Sequence, residues 1–168
     1  MQRRDERRYP PGQAGQDMKL FFDTSALVKF FHEEEGTPEV TSLIIAENNE
    51  IWISELARLE FISAIFRRAR SGEITDDQLA KAFAAFDEQT ETFHCDSFGH
   101  ATIQEAENLL KQFGKSPGLR TLDALQFGAF SLIAENDWIF VSADYNLCHV
   151  AEIQGYKTIN PLRNAGAQ

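Results

Sequence analysis

From residue 19 onward, short apolar runs alternate with longer segments in which apolar residues recur at helical spacing. The short runs predict strands over 19–22, 51–53, 93–95, 138–141 and 157–159. The longer segments predict helices over 38–48, 54–70, 75–91, 98–113, 121–135 and 144–154. Because strands that alternate with helices need crossover connections, we expect a three-layer α/β/α domain around a mainly parallel central sheet. In such sheets, ligands bind at the carboxyl ends of the strands.

Residues at the ends of these helices support several of the boundaries. Thr37 is predicted to be an N-cap, with Pro38 as the first helical residue. Thr75 and Gln78 have the spacing of a capping box. Gly72 follows the helix predicted over 54–70, as is typical of a C-terminal cap.

The helix predicted over 54–70 has an apolar arc that is expected to face the core. Its members are Leu59, Phe61, Ile62, Ile65 and Phe66. Glu60 lies opposite this arc, beside small residues that leave room for a groove. The pattern alone therefore favours a solvated glutamate at this position.

Length and composition indicate one domain with flanking segments. A chain of 168 residues is long enough to form one domain with a sizeable core. Residues 1–17 are rich in Arg, Gly, Gln and Pro and have no hydrophobic period, which predicts a disordered leader. The domain is expected over 18–162, followed by a short tail at 163–168.

The two cysteines and the charge limit the class of protein. Cys95 and Cys148 do not form a C-x-x-C motif, so a disulfide framework is not expected and a cytoplasmic location is favoured. No apolar run approaches the roughly 20 residues of a membrane span. Taken alone, the net charge of −10 argues against a nucleic-acid binder, because a polyanion prefers a basic face. It is equally compatible with a protein that needs cations between itself and its ligand.

Two aspartates come directly after predicted strands. Asp23 follows the run Leu-Phe-Phe, and Asp144 follows the strand predicted over 138–141. Both positions fit a helix N-cap, and both also fit a ligand site at the rim of the sheet. Ser142, beside Asp144, is interpreted as a loop hydrogen-bonding residue, with a role as a hydroxyl partner of the site as the alternative.

Asp123 is a third candidate, in the first turn of the helix predicted over 121–135. A helix N-terminus favours a carboxylate by ~0.3–1 kcal/mol, which gives an ordinary explanation. Its apolar neighbours Leu122, Ala124 and Leu125 favour the other explanation, a carboxylate that needs a partner such as a metal ion. Clustered carboxylates repel one another unless a cation lies between them, and Mg²⁺ and Mn²⁺ prefer such oxygen ligands.

Four segments in this order resemble PIN domains, and within them the VapC-type toxins of toxin–antitoxin pairs. They are FFDTSALVKFF at 21–31, WISELARLEFISAIFRR at 52–68, LRTLDALQFGAF at 119–130 and FVSADYNLCHVA at 140–151. The resemblance implies a PIN-like fold over 18–162 and an Mg²⁺- or Mn²⁺-dependent ribonuclease that hydrolyses RNA through activated water. It implies that the catalytic and metal-binding residues are Asp23, Glu60, Asp123 and Asp144.

The resemblance also implies supporting residues near the site and partners of the protein. It implies Thr24 or Ser25 as a supporting hydroxyl near Asp23, a small antitoxin protein as inhibitor, and a homodimer. Gln126 stands where a histidine is common in the family. Arg67 lies two turns from Glu60 on its helix face, where it is either a contact for RNA or antitoxin or an ordinary solvated residue.

Two alternatives to the toxin remain open at this stage. One is a PIN nuclease with a role in RNA processing. The other is a catalytically silent α/β binding module in which the acidic residues are helix caps and surface charge.

Overall fold

The computed structural model describes residues 17–163, and its centre is a five-stranded sheet in which every pair of strands is parallel. The strands are β1 (Met18–Phe22), β2 (Asn49–Ser54), β3 (His94–Asp96), β4 (Ile139–Val141) and β5 (Lys157–Ile159). Their order is β3-β2-β1-β4-β5, so β1 is central. The predicted parallel sheet is confirmed, with all five strands within about two residues of their expected bounds.

Seven helices of the described residues cover the two faces of the sheet. They are α1 (Thr24–Phe31), α2 (Thr37–Ile44), α3 (Glu55–Ser71), α4 (Asp76–Thr90), α5 (His100–Phe113), α6 (Thr121–Ile133) and α7 (Tyr145–Ile153). Buried residues of α1 to α4 form one apolar cluster against the sheet, and those of α5 to α7 form a second. The predicted three-layer α/β/α architecture is therefore confirmed.

Alternation along β1 divides the core between these two clusters. Leu20 and Phe22 pack into the cluster of α1 to α4, whereas Phe21 packs into the cluster of α5 to α7. The ring of Phe21 lies 5.5 Å from that of Phe130 and 6.1 Å from that of Phe140, between centroids. A strand that is buried on both faces has its carboxyl end held firmly, and Asp23 follows that end directly.

The helix caps agree with the sequence at all but one position. Ser54 caps α3, Gly72 ends it with φ of 78°, and the capping box of Thr75 and Gln78 opens α4. The exception is Thr37, which is the first residue of α2, while Gly36 with φ of 90° is the N-cap. The hydroxyl of Thr37 donates to the carbonyl of Lys29 instead, because the chain turns back on α1 at this point.

Two further comparisons concern the ends of elements and of the chain. The predicted helix over 38–48 ends earlier, at Ile44, and the one predicted from 98 begins at His100 after Gly99. The predicted leader over 1–17 and tail over 163–168 lie outside the described residues, apart from Asp17 and Arg163. Within 17–163, no helix is long and apolar enough to span a bilayer.

Candidate active site

Asp23 lies at the junction of β1 and α1, where two backbone roles fix its place. Its N–H donates to the carbonyl of Val141 at 2.9 Å, which ties the end of β1 to β4. Its side chain caps α1 by accepting from the N–H of Ser25 at 3.2 Å. The predicted capping role is thus confirmed, and the residue is only 6% exposed.

Two hydroxyl groups surround the Asp23 carboxylate. The Oγ atoms of Ser25 and Ser142 both donate to Oδ2, the latter at 3.0 Å. Ser142 also accepts from the N–H of Asp144 at 3.1 Å. It is therefore more than the loop hydrogen-bonding residue that we predicted, because it connects two of the candidate aspartates. Within 17–163, all hydrogen bonds to this carboxylate reach Oδ2 and leave Oδ1 free.

Burial raises the pKa of Asp23 from its ordinary value of 3.8 to about 6. The negative charge of Glu60 raises the pKa further, whereas the hydrogen bonds from Ser25 and Ser142 lower it. No Lys or Arg of the described residues forms an ion pair with Asp23 or Glu60. The folded chain therefore holds a buried carboxylate beside a like charge.

Glu60 is half-buried rather than solvated, which corrects the interpretation of the helical pattern. Its Oε2 accepts from the hydroxyl of Thr24 at 2.8 Å and from the amide of Gln126 at 2.5 Å. Ser25 supports Asp23, as the resemblance implied, whereas Thr24 supports Glu60.

The helical pattern predicted a solvated Glu60 because the apolar arc of α3 is wider than the face that the helix buries. The buried residues are Ala57, Phe61 and Ile65, each one turn after the last. Leu59, Ile62 and Phe66 of the predicted arc are exposed, at 67%, 40% and 43%. The helix packs on the core through the row that contains Phe61. Glu60 lies at the border of this row, where its side chain contacts Thr24 of α1 and Gln126 of α6.

Asp123 and Asp144 complete the candidate quartet. Asp123 is half-buried in the first turn of α6, and burial raises its pKa, with further contributions from the charges of Asp23 and Asp144. The charge and a backbone hydrogen bond of Arg120 oppose this shift. Asp144 caps α7 by accepting from the N–H of Leu147 at 3.0 Å, as its position predicted.

The four carboxylates influence one another without forming a closed ligand set. Asp23 interacts electrostatically with Glu60 and Asp123, and Asp123 with Asp144. Within 17–163, however, no three His, Cys, Asp or Glu side chains are placed to hold one metal ion. Asp23, Glu60 and Asp144 each accept from donors of the protein instead. Among the described residues, Asp23 and Glu60 have no cationic partner. Their carboxylate oxygens are ligands of the kind that a hard divalent cation prefers.

Gln126, for which the sequence predicted no role, is 1% exposed and contacts Glu60. The available signal was its polarity among apolar neighbours on α6, since a buried amide needs hydrogen-bonding partners. Which partners it meets depends on residues far away in the chain.

The arginines of α3 differ in their availability to a ligand. Arg68 pairs with Glu34 at 2.8 Å, and Arg58 donates to the hydroxyl of Thr90 at 3.2 Å. Arg67 is exposed and has no hydrogen bond or ion pair with another of the described residues. Arg67 therefore remains available to an anionic partner on the side of α3 that is open to solvent.

Comparisons with known proteins agree with this architecture. The structure resembles that of the toxin VapC20 from Mycobacterium tuberculosis, described as cleaving the sarcin–ricin loop, with a TM-score of 0.63, 15% identity, and coverage of 84% of this chain and 99% of that one. It also resembles VapBC2 from Rickettsia felis bound to a promoter DNA fragment (TM-score 0.61, 15% identity, coverage 85% and 98%). A third similar structure is DNA-bound VapBC from Salmonella typhimurium (TM-score 0.58, 13% identity, coverage 86% and 98%).

These identities establish a shared fold and no more. No curated protein sequence matches the chain. The PIN domain model matches residues 20–153, a range that includes all four candidate carboxylates. The chain therefore belongs to the PIN domain family.

Proposed function

We propose that this protein is a metal-dependent endoribonuclease of the VapC toxin type, which hydrolyses RNA and is inhibited by a small antitoxin. The observation that carries the proposal is the buried carboxylate of Asp23, held at the carboxyl edge of the sheet beside the charges of Glu60 and Asp123. Burial of like charges is unfavourable for stability, and such groups occur where a cation or a reaction uses them.

The similar structures support the choice of a toxin within the family. Two of them are VapBC structures bound to DNA, and a third is a VapC toxin described as cleaving the sarcin–ricin loop. An antitoxin partner and a homodimer follow from the same resemblance, and a cytoplasmic location follows from the cysteine content; all three are part of the proposal.

The residues that would hold Mg²⁺ or Mn²⁺ are Asp23, Glu60, Asp123 and Asp144. When bound, a divalent ion would supply an activated water and charge neutralisation at the phosphate. Ser25 and Ser142 orient Asp23 by binding its Oδ2, so that Oδ1 stays available. The hydroxyl of Thr24 donates to the Oε2 of Glu60. Arg67, exposed on α3, supplies a cation to a phosphate of the RNA backbone.

Growth of a bacterial host tests this function directly. Induction of the wild-type chain is expected to arrest growth, and Asp23→Asn and Asp123→Asn are expected to abolish the arrest. Asp87→Asn, at an exposed position of α4, is the matched control and should arrest growth like wild type. Where a small protein is encoded beside the gene, its co-expression should restore growth.

Two outcomes would contradict the proposal. Growth at the normal rate despite soluble wild-type protein would exclude a toxin and favour an RNA-processing nuclease or a silent binding module. Arrest that persists in Asp23→Asn would exclude the assigned site. Metal-dependent cleavage of RNA by the purified chain then separates a nuclease from a binding module.

A further inference from the structure

The side chain of Gln126 lies at the centre of a buried hydrogen-bond network that joins four elements. Its Oε1 accepts from the hydroxyl of Ser54 at 2.8 Å, at the end of β2. Its Nε2 donates to the hydroxyl of Thr24 at 2.9 Å on α1 and to the Oε2 of Glu60 at 2.5 Å on α3. These partners are 72, 102 and 66 residues away in sequence.

Counting the protons fixes the orientation of this amide. Ser54 gives its single hydroxyl proton to Gln126 and uses its oxygen to cap α3, where it accepts from the N–H of Ala57 at 3.2 Å. Thr24 gives its proton to Glu60 and accepts one from Gln126. The two protons of the Gln126 amide are then both used, and its oxygen is satisfied by Ser54. The reverse orientation would place the amide oxygen against the Glu60 carboxylate.

The network determines which oxygen of Glu60 remains free. Both hydrogen bonds from the described residues reach Oε2, and none reaches Oε1. Because the two donors come from α1 and α6, they tie Oε2 to both helices, while Oε1 accepts no hydrogen bond from the described residues. Glu60 itself is on α3, whose core contact leaves this residue at the border, so its own helix does not fix its side chain.

We propose that Gln126 is a positioning residue, which fixes Glu60 as a metal ligand through its amide. The inference rests on the proposed function, since it assigns Gln126 a role toward the metal that Glu60 is proposed to bind. Residues that orient a ligand in this way typically affect metal affinity by about 10- to 100-fold. The alternative is that Gln126 only fills space and satisfies Ser54 in the core.

A titration of the metal-free protein with Mn²⁺ distinguishes positioning of Glu60 from simple filling of the core. The electron paramagnetic resonance signal of free Mn²⁺ measures the binding. Gln126→Met keeps the length of the side chain but removes the donor, and is expected to weaken Mn²⁺ binding by about 10- to 100-fold. Gln126→His keeps an N–H donor at similar reach and should restore most of the affinity. Glu60→Gln sets the scale for loss of the ligand itself.

Two controls separate positioning from destabilisation of the fold. Phe127→Leu changes the neighbouring buried residue of α6, which packs among aromatic rings away from Glu60, and should leave the Mn²⁺ affinity unchanged. Circular dichroism and the unfolding midpoint without metal identify any variant that is not folded. If Gln126→Met does not fold, Gln126→Leu replaces it in the same Mn²⁺ titration, because leucine also lacks the donor.

The results distinguish failure of the inference from failure of the function. Suppose that wild type binds Mn²⁺ and that Glu60→Gln binds it more weakly. If the Mn²⁺ affinity of Gln126→Met is then within about twofold of wild type, the positioning role is wrong. An equal loss in Gln126→His and Gln126→Met would also contradict it, because the donor would then not matter. If wild type does not bind Mn²⁺ at all, the proposed function is itself overturned.

Discussion

Asp23→Asn is expected to make the metal-free protein more stable at neutral pH while it removes the proposed activity. Asparagine also serves as an N-cap and still accepts hydrogen bonds from Ser25 and Ser142. The substitution removes the charge that is buried with 6% exposure beside Glu60. The gain should depend on pH, because only the ionised form of Asp23 is penalised by burial.

The sign and size of the effect follow from the raised pKa. Between 3.8 and about 6 the unfolded chain has lost the Asp23 proton, whereas the folded chain still binds it. The folded state then binds more protons, so stability falls as pH rises through this window. A shift of about two pKa units corresponds to about 3 kcal/mol of stability, which is mostly still present at pH 4 and is lost above about pH 7.

Urea denaturation at pH 4 and pH 8, with a chelator present, measures this difference. The gain in free energy of unfolding from Asp23→Asn should rise by about 2–3 kcal/mol between the two pH values. Asp87→Asn, at an exposed position, should change it by less than about 0.5 kcal/mol at both. A gain that is the same at pH 4 and pH 8, or a loss at pH 8, would refute the reasoning.

Three further predictions concern other contacts. Ser142→Ala removes a donor that lowers the pKa of Asp23, so the fall in stability of the metal-free protein should extend to higher pH; an unchanged pH profile would contradict this. The ring of Phe61 stacks on that of Phe86 at 3.9 Å, so Phe61→Ala should lower the free energy of unfolding in urea by about 3–5 kcal/mol. Phe66 is exposed on the same helix, so Phe66→Ala should lower it by about 1 kcal/mol or less. Arg67→Ala, in the Asp123→Asn background that does not cleave, should weaken RNA binding and reduce its dependence on log salt by about 1; the same slope in both would remove Arg67 from the interface.

The parts of the fold that depend on neighbouring residues were predictable from the sequence. The cap of α1 by Asp23, the cap of α7 by Asp144 and the capping box of α4 each require residues within three positions of one another. The parallel sheet followed from the order of its strands and helices, because crossover connections impose that arrangement.

The environment of Glu60 was not predictable in the same way. Its partners Thr24 and Gln126 are 36 and 66 residues away, so they become neighbours only when α1, α3 and α6 pack together. The apolar arc of α3 was broader than the row that meets the core, and the rotation of the helix is set by that packing. For the same reason Ser142 could not be assigned to Asp23, 119 residues away, before the sheet placed β1 beside β4.

Cleavage of RNA by purified wild type, Asp23→Asn and Asp123→Asn, with added Mg²⁺ or Mn²⁺ and with a chelator, tests the central claim most directly. The two site variants, purified in parallel, reveal any contaminating nuclease, and Asp87→Asn controls for the effect of a substitution at an exposed carboxylate and should cleave like wild type. We expect wild type to cleave only when metal is present, and both site variants to remain folded and fail to cleave. Cleavage by both variants at the wild-type rate, or cleavage by wild type that is unaffected by the chelator, would contradict the account.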